Sequence, residues 1–217
     1  VMCMPIWQPL AKPISAIKRK MLTLHFLRHG ESQLSHLFRG WTDDPLTQNG
    51  WQQMQASLDK AAQNGVQFDA VVTSNLQRCQ QFAEHITKAH HVPLLILDDL
   101  RELNFGDWEG KSGEALFNTQ ADTLTKFWQT PTQYTPPNGE PISQFAQRID
   151  RATGQIAEFA EQHHFANLLI ITHGGVIKYC YIKALQQSLD NILSMPADLG
   201  SLHTFELIDN TLLKATG

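Results

Sequence analysis

The chain is predicted to be an α/β protein, a three-layer α/β/α sandwich around a mostly parallel sheet, and three observations predict it. The apolar, strand-favouring run from Leu22 to Leu27 stops at Arg28-His29-Gly30. A second run, Leu168-Leu169-Ile170-Ile171, is continuously apolar as a central parallel strand is, and stops at Thr172-His173-Gly174-Gly175. Between them, strand-like and helix-like patterns alternate, the order that builds a parallel sheet covered on both faces. Two strands therefore each end in a histidine followed by glycine, and strand ends in such sheets are where reactive side chains collect.

Taken in order, the first strand is followed by an irregular stretch through Pro45 and then by a polar, helix-compatible segment from Gln48, with Asn64-Gly65 as its stop. Phe68 to Thr73 is a second buried strand. Ser74 is placed to cap the next helix, whose first turns carry Arg78 and Cys79 and whose Phe82 and Ile86 face the core. Arg78 then lies near a helix N-terminus, a position suited to anions. Val92 to Leu97 reads as a third strand, Asp98 to Gly110 as a loop, and Ser112 to Trp128 as mainly helical. The proline-rich connection Thr130 to Pro141 is of the kind that often covers a site. Ile142 to His163 has the spacing of a long amphipathic helix, with a shorter helix from about Val176 to Leu185 after the second histidine. Leu202 to Leu207 and Thr211 to Leu213, joined through Asp209-Asn210, form a hairpin.

Length and composition set the outer limits. With 217 residues and no shift in composition, one sizeable domain is expected over 21–217. Residues 1–20 carry prolines and the basic cluster Lys18-Arg19-Lys20 but no compact apolar region with a cleavage site, so they are expected to be a disordered leader or a start assigned too early. A net charge of -4 gives no general attraction to nucleic acid or to an anionic membrane, and a small anionic ligand bound by a local basic cluster fits better. Cys3, Cys79 and Cys180 are odd in number and lack any Cys-x-x-Cys spacing, which favours a reducing compartment and argues against a zinc site. No stretch approaches the ~20 apolar residues of a membrane span, and the expected location is cytoplasmic.

His25, His85, His90 and His164 stand alone and read as ordinary polar histidines. His29 and His173 differ, because each closes a strong strand before glycine and one has arginine attached, a combination suited to phosphate. The motifs fall in a definite order: Leu27-Arg28-His29-Gly30-Glu31-Ser32, Phe38-Arg39-Gly40, Asp44-Pro45-Leu46-Thr47 with Gly50, Ser74-Asn75-Leu76-Gln77-Arg78, the run from Arg101 to Gly110, and Thr172-His173-Gly174-Gly175. In content and order, from about Leu22 to Cys180, the chain resembles the histidine phosphatase superfamily, in the branch that includes the phosphoglycerate mutases.

The resemblance implies a mechanism. His29 matches the nucleophile that forms a phosphohistidine, and Glu102 the residue that protonates the leaving oxygen and later activates water. Arg28, Arg78 and His173 match the phosphate pocket. Ser32 and Thr172 are further candidate donors, and Glu31 and Glu109 candidates for ion pairs that orient an arginine. Many members have asparagine at the position of Ser35, lining that pocket, so Ser35 is a substituted phosphate contact in a shorter loop. No metal and no cofactor are implied, since arginines supply the positive charge and imidazole the nucleophile. The partner is a small phosphorylated metabolite.

The run through Phe105-Gly106-Asp107-Trp108-Glu109-Gly110, the Pro137-Asn138-Gly139-Glu140 connection and the compact length are most similar to the alpha-ribazole phosphatases, which act on a nucleotide intermediate or its cobalamin-linked form late in cobalamin synthesis. Trp108, Phe117, Trp128 and Tyr134 are candidates to stack on a benzimidazole-like base, against the ordinary alternative of core or lid packing. A broad small-molecule phosphatase, a phosphoglycerate mutase and a non-catalytic phospho-ligand binding module are the alternatives.

Overall fold

In the computed structural model, which describes residues 21–209 and 211–214, one six-stranded sheet organises the chain. Its strands are β1 (Met21–Arg28), β2 (Ala70–Thr73), β3 (Leu94–Ile96), β4 (Asn167–Thr172), β5 (Leu202–Ile208) and β6 (Thr211–Lys214), in the order β3-β2-β4-β1-β5-β6. The first four in that order run parallel, β5 is antiparallel to β1, and β6 to β5. The mostly parallel sheet and the closing hairpin are as expected. Asn210 and the leader 1–20, Cys3 included, lie outside the described residues.

Among the described residues, five α-helices cover the sheet: α1 (Gln48–Gln63), α2 (Gln77–His90), α3 (Gly113–Gln129), α4 (Ile142–His163) and α5 (Gly174–Ala184). Successive strand residues point to opposite faces. Leu27, Val71, Leu169 and Ile171 meet Met54 and Leu58 of α1 and Phe82 and Ile86 of α2. Leu24, Phe26, Val72, Leu168 and Ile170 meet Leu116 of α3, Phe145 and Ile149 of α4 and Ile177 of α5 on the other side. β4 lies between β2 and β1 and is covered on both faces, which is why its sequence is apolar without alternation. Each fully buried leucine or isoleucine there contributes roughly 1.5–3 kcal/mol.

Three local features depart from the sequence reading. Ser74 does not cap α2: the N-cap position is Leu76, and the first amide, Gln77 N, donates to Asp43 Oδ1 at 2.7 Å from the loop after β1. The Asp98 to Gly110 loop contains two single 3-10 turns, Asp98–Leu100 and Gly106–Trp108. Helix α3 is kinked at Gln120, whose φ of -143° is non-helical. Among the described residues, no helix is long and apolar enough to cross a membrane.

Candidate active site

The two histidine motifs meet because β1 and β4 are adjacent and parallel, with Arg28 opposite Thr172. The next residues, His29 and His173, stand side by side with ring centroids 5.2 Å apart, and His29 N donates to Thr172 O at 2.9 Å. His29 Nδ1 lies 2.8 Å from Gly30 O. A carbonyl only accepts, so Nδ1 carries the proton and the neutral ring presents a bare lone pair on Nε2. Burial, and then the charges of Arg78, Arg28 and Arg39, hold the His29 pKa well below its ordinary 6.5. His173 is lowered in the same way, by burial first and Arg78 next. Its Nε2 is 2.9 Å from Ser74 Oγ, so the serine expected as a helix cap instead fixes a pocket histidine.

Arg28 closes β1 and lies against the start of α5. A Cβ at Gly174 would come within 3.1 Å of the Arg28 guanidinium carbon, so the glycine admits the guanidinium. Arg28 Nη1 donates to Ala197 O. Arg78, in the first turn of α2, is fully buried. It reaches back to the loop after β1, donating from Nη2 to Gly40 O at 2.7 Å and from Nη1 to Thr42 O at 2.8 Å, with Asp44 Oδ1 at 3.4 Å. Asp44 also faces Arg39, whose Nε is 3.5 Å from the same oxygen. Neither Asp44 nor Arg39 was singled out from the sequence as a site residue, although both lie in quoted motifs. The missing signal is spatial, since Asp44 and Arg78 are 34 positions apart.

Glu102 follows the first 3-10 turn and is buried. Its carboxylate accepts from Gly175 N, with Oε2 at 3.0 Å and Oε1 at 3.1 Å, and from Leu103 N at 3.0 Å. A Cβ on Gly175 would lie 2.2 Å from Oε1, so glycine is required there by close approach. The Glu102 carbonyl is fixed by Trp41 Nε1 at 3.0 Å and Arg148 Nη2 at 2.7 Å. Arg148, buried on α4, also donates to Asp99 O, Arg101 O and both oxygens of Glu140, which occupies all five of its N–H groups and pins the loop carrying Glu102.

Several candidates take other positions. Thr172 donates its hydroxyl to Leu100 O at 2.9 Å, deep in the core, and is not turned to the cleft. Glu31 accepts from Thr47 and Asn49, and Glu109 from the amides of Trp41, Thr42 and Phe105; they brace loops, and it is Asp44 that pairs with Arg39 and Arg78. Ser32 Oγ is buried without a partner, and Ser35 Oγ accepts from Ser32 N at 2.8 Å. Trp108 is wholly buried, with Nε1 donating to Gln120, and does not reach a ligand. Phe117, Trp128 and Tyr134 are exposed and none of them lines the cleft; Trp128 packs on Phe38, which does, with centroids 6.0 Å apart. The proline-rich segment braces the Glu102 loop, through Asp107 N to Pro137 O and Glu140 N to Asn104 O, both 2.9 Å, and contributes nothing to the cleft lining.

Arg28, His29, Ser35, Arg39 and Glu102 line one cleft of about 300 Å³, walled by Phe38 and Phe105. Arg78 and His173 lie fully buried beside them. A neutral imidazole lone pair, buried guanidiniums and a carboxylate converge there, the groups a transferable phosphoryl group calls for.

Comparison with known proteins agrees with this chemistry. The profile of the histidine phosphatase superfamily (branch 1) matches residues 24–214. The adenosylcobalamin/alpha-ribazole phosphatase of Escherichia coli is 31% identical over 82% of each chain. A 2,3-bisphosphoglycerate-dependent phosphoglycerate mutase of Bartonella tribocorum is 34% identical over 58% of this chain and 64% of its own. Among solved structures, Bacillus stearothermophilus YhfR superposes with a TM-score of 0.79 at 29% identity, over 90% of this chain and 96% of its own. The putative alpha-ribazole-5'-P phosphatase of E. coli gives 0.76 at 27%, over 90% and 95%. The protein is a phosphatase, and the chain belongs to the histidine phosphatase superfamily.

Proposed function

We propose that the protein is a metal-independent phosphomonoesterase that works through a phosphohistidine on His29, and that its substrate is alpha-ribazole 5'-phosphate. The observation that carries the mechanism is the Nδ1 proton of His29 held on Gly30 O in a buried site among arginines, which leaves Nε2 unprotonated and directed by a fixed ring. In the first step Nε2 attacks phosphorus, the bond to the ester oxygen breaks, and Glu102 gives that oxygen a proton. In the second, water attacks the phosphohistidine, the Glu102 carboxylate takes its proton, and inorganic phosphate leaves. Arg28, Arg78 and His173 hold the phosphoryl oxygens, and Ser35 contributes its hydroxyl.

Two observations support the substrate. The E. coli relative matched over most of both chains is an adenosylcobalamin/alpha-ribazole phosphatase, and the cleft wall beyond the arginines is aromatic, with Phe38 edge-on to Phe105 and Trp128. Such a wall suits a flat, apolar base on the leaving group. The buried free thiols Cys79 and Cys180 fit a cytoplasmic enzyme acting in late cobalamin biosynthesis.

The test is hydrolysis in EDTA of alpha-ribazole 5'-phosphate, 3-phosphoglycerate and p-nitrophenyl phosphate by wild type and His29→Ala. Preference for the ribazole ester, lost in the variant, is expected. Broad weak hydrolysis would remove that substrate and keep the phosphatase. Bisphosphate-stimulated transfer between phosphoglycerates would make it a mutase, and activity surviving in His29→Ala would overturn the mechanism.

A further inference from the structure

Arg39 stands in the same cleft as His29, Arg28 and Glu102. Its side chain is only 8% exposed, and its Nε is buried without a hydrogen-bond partner. Its counter-charge is shared: Asp44 Oδ1 lies 3.5 Å from Arg39 Nε and 3.4 Å from Arg78 Nη1, while Asp44 Oδ2 accepts from Leu34 N at 2.9 Å. One carboxylate thus faces two guanidiniums, and a buried donor left unmatched is costly unless something else occupies it.

We propose that Arg39 is a third guanidinium of the phosphate pocket, held by Asp44 before substrate binds and turned onto an oxygen of the phosphoryl group when a phosphate monoester enters. This inference rests on the cleft being the phosphate site. The ligand chemistry follows from the donors. A planar, permanently charged fork beside two other arginines matches a dianionic tetrahedral oxyanion. Burial and the neighbouring arginine charges lower the Arg39 pKa to about 10, which still leaves it charged at neutral pH.

The loop geometry explains why this chain has a use for it. Ser35, four residues earlier, has its oxygen occupied by Ser32 N, so it offers the cleft no more than one hydroxyl hydrogen. Arg39 brings charge and several donors from the same loop, adding to the single hydroxyl donor that Ser35 offers.

The experiment is calorimetric titration of inorganic phosphate into wild type, Arg39→Gln, Arg39→Lys and Arg28→Gln, with thermal unfolding of each in phosphate-free buffer. Loss of one charge-assisted hydrogen bond is worth about tenfold or more in affinity, the loss expected for Arg39→Gln at an unchanged unfolding midpoint. Arg39→Lys keeps the charge and the Asp44 pairing but not the fork, so a loss of roughly threefold to fivefold is expected. It decides the matter if the glutamine variant does not fold. Phosphate affinity within about twofold of wild type in the folded Arg39 variants would overturn the inference and leave Arg39 as a loop brace. If Arg28→Gln also bound phosphate as wild type does, the failure would belong to the phosphate site itself.

Discussion

The floor of the cleft and its outer wall are built differently. The floor is the end of two paired parallel strands, where His29 and His173 are 2% and 0% exposed and the backbone is fixed by the β1–β4 register. The wall comes from irregular segments: the loop after β1 supplies Ser35, Phe38 and Arg39 and the loop after β3 supplies Phe105, while Trp128 of helix α3, 45% exposed, backs Phe38 from outside the lining. Sheet ends place a reacting group reproducibly, whereas loops reshape what may enter. A mutase and a phosphatase can share such a floor, which is why relatives of both descriptions match this chain. The wall is where they must differ.

The harshest test of the floor is His29→Ala. With the proposed nucleophile gone, the two displacements proposed to run through it have no substitute, and kcat should fall by roughly 10⁴-fold or more, with no acid-labile phosphoenzyme trapped from labelled substrate. Turnover within about tenfold of wild type would mean that the floor is not where the chemistry happens.

A pair of tryptophans separates core from wall. Trp108 is fully buried among Phe38, Phe127 and the helix α3 side chains. Trp108→Ala should cost about 3–5 kcal/mol in denaturant unfolding. Trp128→Ala removes a half-exposed ring, should cost under about 1 kcal/mol, and should raise KM a few-fold only for esters whose leaving group is aromatic. If Trp128→Ala changed KM equally for an alkyl and an aromatic phosphate, the wall would not be reading the leaving group.

How much of this was legible in the sequence follows the same division. The floor was, because an apolar run stopped by His-Gly is a local pattern, and the order of motifs supplied the partners Arg78 and Glu102. The amphipathic spacing from Ile142 to His163 matched α4 residue for residue. What the pattern did not carry was pairing across irregular backbone. Ser74 has the chemistry of a cap, but Asp43 takes that role and leaves Ser74 to His173. The sequence leaves Trp108 between stacking on a ligand and packing in the core, because aromatic character does not disclose which way a loop turns, and the structure places it in the core. The Asp44 contact with Arg39 and Arg78 exists only once the loop has folded back on α2.

Gly175 links floor and wall, since it is the α5 amide that holds Glu102. Alanine is a better helix former than glycine by up to about 1 kcal/mol, but its Cβ would meet Glu102 Oε1 at 2.2 Å and Phe145 Cζ at 3.3 Å, so Gly175→Ala should cost about 1–3 kcal/mol in stability. The same Cβ would displace the carboxylate oxygen from its bond to the Gly175 amide. A misplacement on the scale of an ångström is worth about 10²-fold. That loss should appear on alkyl phosphates and be much smaller on p-nitrophenyl phosphate, whose leaving group needs no proton. Equal losses on both would separate Glu102 from leaving-group protonation.

The smallest expected effect is on stability with pH. His29 and His173 have folded pKa values well below 6.5, through burial first and the arginines second. The unfolded chain therefore binds more protons than the folded one once the pH drops below 6.5, and stability must fall as pH descends from there toward the lowered values. Each such histidine is worth on the order of 1 kcal/mol between about pH 7.5 and about pH 5.5. Carboxylates contribute mainly at lower pH, and His25, also lowered by burial, remains in every variant. The measurement is the difference in urea unfolding free energy at those two pH values for wild type and for His29→Asn. A flatter dependence in the variant is expected. An identical slope would mean that His29 already takes up a proton in the folded state near pH 6.5, and then the arginine-lined floor would not be keeping its nucleophile neutral.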